Sequence, residues 1–471
     1  MPLRPDQADA VMWMMDHPRG GLFLPMGFGK TLTTLTTLQL FDQPRTLVVA
    51  PPTVAREVWP YEAAKWMPES RLVLVAGSPA KRLKQLSEDA SIYVLSNALL
   101  VWLLYDALPT LGRKVAPWRA VVIDELSAFK DRRTERFKTL NALTNHRTRP
   151  PQFVWGLTGT PASDHLMDIW AEMFILDKGE SLGNSITRFR DRYFEPDNPY
   201  KPYPKYELRA GARDKIFKRI EPRALSLGMN ALKNLLPEML VSPSYVTLPA
   251  KLLVGPKGYE EFRKNSVLGV LGLEKRKRED GSTYTAPILA DWAIPATSAA
   301  ALRAKLMQFT AGFVYRDEGE PEYIHDLKLR RLLAIIEDLN GDPVLVFYRF
   351  REELRRIQEA LPEAVHIKEP SAIDRWNRGE ISVLLAHPAS AGHGLNLQHG
   401  GHNIVWTSVP DSQQLFAQGN HRLYRPGQTH PVSVNVLICP DTWDARAYDA
   451  LASKASLEQA LLQYLDKTRE S

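Results

Sequence analysis

Gly21-Leu-Phe-Leu24-Pro-Met-Gly27-Phe-Gly29-Lys30-Thr31 passes from an apolar stretch through two closely spaced glycines into Leu32–Phe41, which has helical spacing. The order strand, glycine-rich turn, helix aims backbone N–H groups and a helix N-terminus at one spot, a geometry suited to phosphate. There Gly27 and Gly29 let the backbone approach, the Lys30 ammonium would reach the β- and γ-phosphates of a nucleotide, and the Thr31 hydroxyl would sit on Mg²⁺. Read alone, the string also fits a glycine turn with a surface lysine. A strand that feeds a helix in this way implies further strands beside it in a parallel sheet.

Those strands are visible on both sides. Short β-branched runs at Leu47–Ala50, Arg71–Ala76, Ile92–Leu95, Val121–Ile123 and Phe153–Leu157 alternate with longer helical stretches such as Thr53–Met67. The last third repeats the alternation at Val344–Tyr348, Val365–Ile367, Val383–Ala386, Ile404–Ser408 and Val432–Ile438. Near-continuous apolar runs are expected where helices cover both faces of a sheet. The expected fold class is therefore α/β, with two parallel sheets flanked by helices and mostly helical insertions between them. The boundaries read as a first lobe over 1–178, helical insertions and a linker over 179–320, and a second lobe over 321–471 ending in a helix built on Leu457–Leu465. The middle interval is rich in Arg, Lys, Tyr and Pro, and Glu274–Gly281 reads as a charged, exposed stretch.

Composition narrows the class without choosing the chemistry. The 471 residues suggest two to four domains. The chain is 44% apolar and 24% charged, which is ordinary for a folded protein. Its 60 Lys+Arg against 54 Asp+Glu leave +6, too mild an excess to argue for nucleic acid by itself. A single cysteine, Cys439, excludes an intrachain disulfide and a Cys-rich zinc site. No apolar run approaches the ~18 residues of a membrane span, and MPLRPDQADAV lacks the layout of a signal peptide. The expectation is a soluble protein of a reducing compartment: cytoplasmic, not secreted and with no membrane partner.

Val121-Val-Ile-Asp124-Glu125 is an apolar strand that ends in two carboxylates. A strand's C-terminal end lies at the crevice where open α/β sheets bind ligands. There Asp124 would hold Mg²⁺ and Glu125 would polarise an attacking water. Alone, the pair also fits the start of a helix capped by acids. Gly156-Leu-Thr158-Gly-Thr160-Pro161 ends another strand with small hydroxyl residues suited to sensing a phosphate, or with a plain Gly/Pro turn. Gln418, Arg422 and Arg425 fall at i, i+4 and i+7, which predicts one shared helix face, with Arg425 near the helix end before Pro426. Such a face is either solvated or a pair of arginine fingers for a transferring phosphoryl group. A further glycine-rich loop, Gly392-His-Gly394-Leu-Asn396, would line the same cleft.

In this order the motifs resemble those of superfamily II nucleic-acid-dependent ATPases of the Swi/Snf type. Leu3-Arg-Pro-Asp-Gln7 resembles the adenine-reading Q motif and Met26–Thr31 resembles motif I. Val49–Thr53 and Leu95–Asn97 resemble motifs Ia and Ib, Asp124–Lys130 motif II, and Leu157–Pro161 motif III. Val344–Phe350, Gly392–Leu397 and Gln418–Gln428 resemble motifs IV, V and VI. The sequence departs from the family pattern where Leu24-Pro25 replaces the usual acidic pair, where Leu126 and Ser127 stand for the frequent Ala-His, and where Asp411 replaces a usual tryptophan. The compact layout is similar to motors encoded by bacteriophages, which would place the protein in a host cytoplasm.

The resemblance implies two RecA-like lobes with ATP and Mg²⁺ in the cleft. Lobe 1 would supply Gln7, Gly27, Gly29, Lys30, Thr31, Asp124 and Glu125; lobe 2 would supply Gly394, Gln418, Arg422 and Arg425. DNA, with a duplex favoured over single-stranded or branched forms, would cross Pro51, Thr53, Ser96, Asn97, Tyr348, Arg349 and Asn396. Arg209, Arg213, Lys215, Lys218, Arg219 and Arg223 would add a duplex grip or form a solvated helical face. The implied activity is a DNA-dependent ATPase that translocates. The other readings are a strand-separating or branch-remodelling helicase, the motor of a restriction or defence assembly, and a catalytically silent DNA-binding scaffold. A protein partner would supply any targeting.

Overall fold

The computed structural model describes residues 3–24, 27–112, 117–162, 165–198, 200, 205–226, 236–254, 258–277, 283–316, 319–389, 395–410 and 412–454. The chain divides into two compact units, Met1–Leu236 with Lys454–Ser471, and Pro237–Ser453.

The first unit opens with α1 (Pro5–Asp16), β1 (Arg19–Phe23), α2 (Lys30–Leu40), β2 (Thr46–Ala50) and α3 (Trp59–Trp66). It continues with β3 (Leu72–Val75), β4 (Ile92–Ser96), β5 (Ala120–Asp124) and β6 (Phe153–Thr158). After the hairpin β7–β8 (Phe194–Pro196 and Tyr206–Leu208) comes the short β9 (Ala224–Leu225). The sheet order is β3-β4-β2-β5-β6-β1-β9, and every pairing in it is parallel. Period-2 alternation divides each strand between two cores. Leu47, Val49, Val121 and Ile123 enter one cluster, while Val48, Ala50, Ala120 and Val122 enter the other. Covering both faces is what makes AVVID a run of five buried residues.

The second unit repeats this design. Its strands are β10 (Met239–Tyr245), β15 (Val344–Phe347), β16 (Val365–His366), β17 (Val383–Ala386), β18 (Asn403–Trp406) and β19 (Val432–Ile438), in the order β10-β19-β18-β15-β17-β16. All of these pairings are parallel. Leu345 and Phe347 face one core, Val344 and Val346 the other. These are the two parallel sheets expected from the sequence.

The interval 179–320 holds helices Ile186–Tyr193, Ala212–Ile220, Tyr259–Asn265 and Ala299–Ala311. It also holds strands that the sequence reading had not seen. β9 extends the first sheet and β10 the second, β11 (Val267–Lys277) pairs with β12 (Thr283–Pro295) as a separate antiparallel ribbon, and β13 (Phe313–Tyr315) pairs with β14 (Pro321–Tyr323), which begins just past the interval. Pro243 within β10 hid its strand character, and an edge strand tolerates it because one side needs no ladder hydrogen bond. The stretch beginning at Glu274 thus runs along a strand as far as Lys277. Arg278–Gly281 lie outside the described residues, as do Met26, Asp411 and the helix expected on Leu457–Leu465. Among the described residues no helix is long and apolar enough to cross a membrane.

Candidate active site

Parallel strands put their C-terminal ends along one edge, and the first unit's candidates gather there. β1 and β6 pair with Phe23 opposite Thr158, and β5 and β6 with Asp124 opposite Leu157. The loop after β1 is shaped by its glycines. Gly27 (φ 78°) and Gly29 (φ 89°) occupy the left-handed region, and a Cβ on Gly29 would come within 2.4 Å of Gln7 Nε2. Gln7 is 4% exposed on α1 and its Nε2 donates to the Phe28 carbonyl at 2.8 Å. The Arg4 guanidinium donates to the same carbonyl at 2.8 Å. The N-terminal helix therefore holds the glycine loop directly, and Lys30 and Thr31 open α2 behind it.

Lys30 Nζ donates to the Leu24 carbonyl at 2.9 Å, folding the ammonium back over the loop it leaves. Asp124, 8% exposed, accepts from Trp59 Nε1 at 2.9 Å and from the Glu125 N–H at 3.1 Å. Burial pushes its carboxyl above the ordinary range, opposed by the Trp59 hydrogen bond and the Lys30 charge. Glu125 sits at φ 57°, ψ 59°, a left-handed conformation that costs about 1–3 kcal/mol in a residue with a side chain and aims it out of the strand direction. Thr158 Oγ1 donates to Ser127 Oγ at 3.4 Å and accepts from the Thr160 N–H at 3.1 Å, joining the loops after β5 and β6.

These residues fit a magnesium nucleotide. Gly29 leaves no room for a Cβ beside Gln7, so the loop stays bare backbone, and burial raises the Asp124 carboxyl against the charge of Lys30. In the second unit Gln418 is 2% exposed, and its Nε2 has no hydrogen-bond partner among the described residues.

That glutamine lies on a helix, Gln413–Asn420, that ends earlier than its spacing predicts. Asn420 Oδ1 is held by Trp406 Nε1 at 2.9 Å, and successive turns follow, with Arg422 N–H on the Gly419 carbonyl and Tyr424 N–H on the Asn420 carbonyl. Gln418, Arg422 and Arg425 consequently do not share a helix face. What brings the two arginines together is the Leu395 carbonyl, which accepts from Arg422 at 3.2 Å and Arg425 at 3.0 Å. Gly394, one residue before, lies outside the described residues.

Apart from Asn396, the candidate DNA contacts fall at strand ends. Pro51 (buried) and Thr53 (exposed) follow β2; Ser96 ends β4 and Asn97 follows it, buried. Tyr348 and Arg349 follow β15: the Tyr348 hydroxyl is hydrogen-bonded with His366 Nε2 at 3.0 Å, and Arg349 donates to the Val409 carbonyl at 3.0 Å. Asn396 is exposed. The helix Ala212–Ile220 buries Ile216, Phe217 and Ile220 and leaves Arg213, Lys215, Lys218 and Arg219 outward. Arg209 is exposed and pairs with Glu195, and Arg223 with Glu180.

Two structural partners were missed by the sequence reading. Trp59 reaches Asp124 across 65 positions, and nothing in VAREVWPYEAAKW marks it. Glu353 accepts from the Arg349 and Phe350 N–H groups, both at 2.9 Å, and from Thr407 Oγ1 (2.9 Å) and Ser408 Oγ (2.7 Å). It ties the loop after β15 to that after β18.

Comparison with known proteins gives a consistent picture. The SNF2-related domain family matches residues 6–225. Protein p41 of Acyrthosiphon pisum secondary endosymbiont phage 1 is 30% identical over 481 residues, covering 98% of each chain. Chromodomain-helicase-DNA-binding protein 1-like of Danio rerio is 22% identical over 98% of this chain and 44% of its own length. Protein CHROMATIN REMODELING 19 of Arabidopsis thaliana is 23% identical over 93% and 65%. The chain thus spans nearly all of the phage protein but under two thirds of these two eukaryotic relatives. The solved Sulfolobus solfataricus SWI2/SNF2 ATPase core in complex with dsDNA aligns over 98% of this chain and 93% of its own, with 23% identity and a TM-score of 0.44.

Proposed function

The chain belongs to the SNF2-related family of ATP-hydrolysing enzymes, and we propose that it is a DNA-dependent ATPase that couples hydrolysis to movement along duplex DNA. The observation that carries this reading is the arrangement of one sheet edge. The nucleotide candidates stand at the ends of β1, β5 and β6, and the polynucleotide candidates at the ends of β2 and β4, next in the same sheet. Trp59, on the helix that follows Pro51 and Thr53, is hydrogen-bonded to Asp124. A displacement of the loop by a bound backbone would be felt at the carboxylate proposed to hold the metal.

In this reading the Gly27–Gly29 turn and α2 receive the phosphates, and Lys30 leaves the Leu24 carbonyl for the phosphate oxygens. Thr31 and Asp124 would hold Mg²⁺, which would supply charge neutralisation to a transferring phosphoryl group. Glu125 orients and deprotonates the attacking water, and its strained backbone sets that direction. Gln7 reads the base while bracing the loop. On the second unit, Gln418, Arg422 and Arg425 are the nucleotide candidates, the arginines suited to stabilising charge on a transferring phosphoryl group. Backbone contacts at Ser96, Asn97, Tyr348, Arg349 and Asn396 would fix register on DNA without reading sequence.

The test is ATP turnover with no nucleic acid and with single-stranded, duplex and branched DNA and RNA. Duplex should stimulate most, Lys30→Ala should abolish turnover, and Glu125→Gln should bind ATP but hydrolyse it about 10²-fold or more slowly. Absence of stimulation by every polynucleotide would refute the reading.

A further inference from the structure

On the second unit, the helix Arg351–Ala360 opens with two buried acids, Glu352 and Glu353. Glu353 is the third residue of the helix, where a glutamate that reaches back to the N–H just before the helix is an ordinary cap. It makes that bond, accepting from the Phe350 N–H at 2.9 Å. A cap needs nothing more. Yet the same oxygen also accepts from the Arg349 N–H at 2.9 Å, and the other accepts from Thr407 Oγ1 at 2.9 Å and Ser408 Oγ at 2.7 Å. Those hydroxyls follow β18, 54 and 55 positions along the chain. Burying a carboxylate is costly unless it is hydrogen-bonded and offset by positive charge. The helix N-terminus supplies part of that offset, and Lys328, which lines the same small cavity as Glu353, supplies more.

The bonds beyond the cap converge on Arg349. Its N–H is held by Glu353, and its backbone is also hydrogen-bonded to the His387 ring. Its guanidinium donates to the Val409 carbonyl at 3.0 Å, one residue after Ser408. Glu353 therefore fixes both the peptide from which this side chain leaves and the loop that receives its guanidinium.

We propose that Glu353 is a positioning residue for DNA binding, which aims Arg349 at a backbone phosphate of the duplex. The proposal rests on the DNA-dependent reading above, in which Arg349 is a polynucleotide contact. It sets a sign that charge alone does not. Taking an acid away from a DNA-binding face should tighten binding, because the polyanion is repelled less. If Glu353 aims Arg349, an apolar replacement weakens binding instead. Glutamine separates the two effects. Its carbonyl oxygen can keep both backbone N–H bonds, and its amide N–H₂ can face the hydroxyls, which rotate to accept. Thr407 then donates to the Phe347 carbonyl, which its hydroxyl already reaches at 3.2 Å. Glu353→Gln thus keeps the geometry without the charge, whereas Glu353→Met loses both.

The experiment measures duplex affinity of the full chain over about 50 to 200 mM salt. It compares wild type, Glu353→Gln, Glu353→Met, Arg349→Ala and the Glu353→Met, Arg349→Ala double variant. Glu353→Met should bind roughly tenfold more weakly at the lower salt, with the slope of log affinity against log salt reduced by about 1, as for one lost phosphate contact. Glu353→Gln should bind at least as tightly as wild type with the slope unchanged. The double variant should bind no more weakly than Arg349→Ala, because the acid acts through that one side chain. Ser408→Ala cuts the tie while leaving the helix cap whole, so its answer does not depend on how Glu353→Met folds. It should weaken binding about threefold in the wild-type background and not at all beside Arg349→Ala. Tighter binding by both Glu353 variants would reduce the residue to its charge and overturn the proposal. Losses that add to that of Arg349→Ala would reduce it to a general support of the fold and overturn it equally. Either result, with wild type binding duplex, leaves the DNA-dependent reading standing. Failure of the wild-type chain to bind or respond to duplex would overturn that reading and the role of Glu353 with it.

Discussion

At the scale of single residues, Asp124 shows how the site is tuned. Its carboxyl is raised by burial and brought partway back by two neutral donors, Trp59 Nε1 and the Glu125 N–H, and one cation, Lys30. Trp59→Phe keeps the ring in a pocket where Trp59 is fully buried and removes only the indole donor. Losing a hydrogen bond to a buried charge disfavours the charged form, so the carboxyl should rise further. Only the deprotonated form can hold a metal. The acidic limb of the pH–turnover profile should therefore move to higher pH in Trp59→Phe, while turnover well above it recovers toward wild type. A uniform loss at every pH would assign Trp59 to packing instead. Lys30, Asp124 and Glu125 can be proposed from the sequence because the chemistry proposed for them is local, a loop and a strand end within a few residues. Trp59 and Glu353 were not, because their partners lie across the sheet, where only the fold brings them together.

At the scale of elements, the strands were legible because both-face burial leaves unbroken apolar runs, as in Val344–Phe347 and Val432–Ile438. Helix ends were less so. Gln413–Asn420 stops where Asn420 bonds Trp406 and where a Cβ on Gly419 would meet that indole at 2.6 Å, a tertiary cause that periodicity does not carry. The joint after helix Ala299–Ala311 is tertiary in the same way. Gly312 (φ 101°) ends the helix, and a Cβ there would lie 2.0 Å from the His325 carbonyl. The His325 ring accepts the Leu327 N–H on Nδ1 and is half-buried. Burial, then the Lys328 and Arg356 charges, push its pKa down to about 4, with Asp326 acting in the opposite sense. In the unfolded chain the ring titrates near 6.5, so the unfolded state takes up the proton first as pH falls. This contribution to stability is whole above pH 6.5 and is lost as pH falls toward 4. Between pH 7 and 5 it should remove about 2 kcal/mol. Urea midpoints at the two pH values should show that loss in the second unit, and His325→Phe should flatten the difference. An unchanged pH dependence in His325→Phe would mean that other groups carry it.

At the scale of the molecule, a net charge of +6 says little, because what matters is where the cations lie. Three of them are consecutive on one ribbon, while Arg209 and Arg223 are paired with acids on the first unit. Each unit closes its own cores on both faces of its own sheet. Unfolding should accordingly proceed in more than one step rather than as a single two-state transition. A ligand that binds only folded protein raises the step it belongs to by RT ln(1 + [L]/Kd), about 2.7 kcal/mol at a hundredfold excess over Kd. With Mg²⁺ and a non-hydrolysable ATP analogue, the step assigned to the first unit, read by hydrogen exchange in peptides from β1 and α2, should rise by that amount. Lys30→Ala should abolish the rise, because Lys30 is proposed to hold the phosphates in the ground state. The Arg422→Ala, Arg425→Ala double variant should keep most of it and still fail to hydrolyse ATP, because those arginines are proposed to act on charge that develops only in the transition state. Loss of the rise in the double variant would make the arginines ground-state nucleotide ligands. The finger role would then have to be given to another cation.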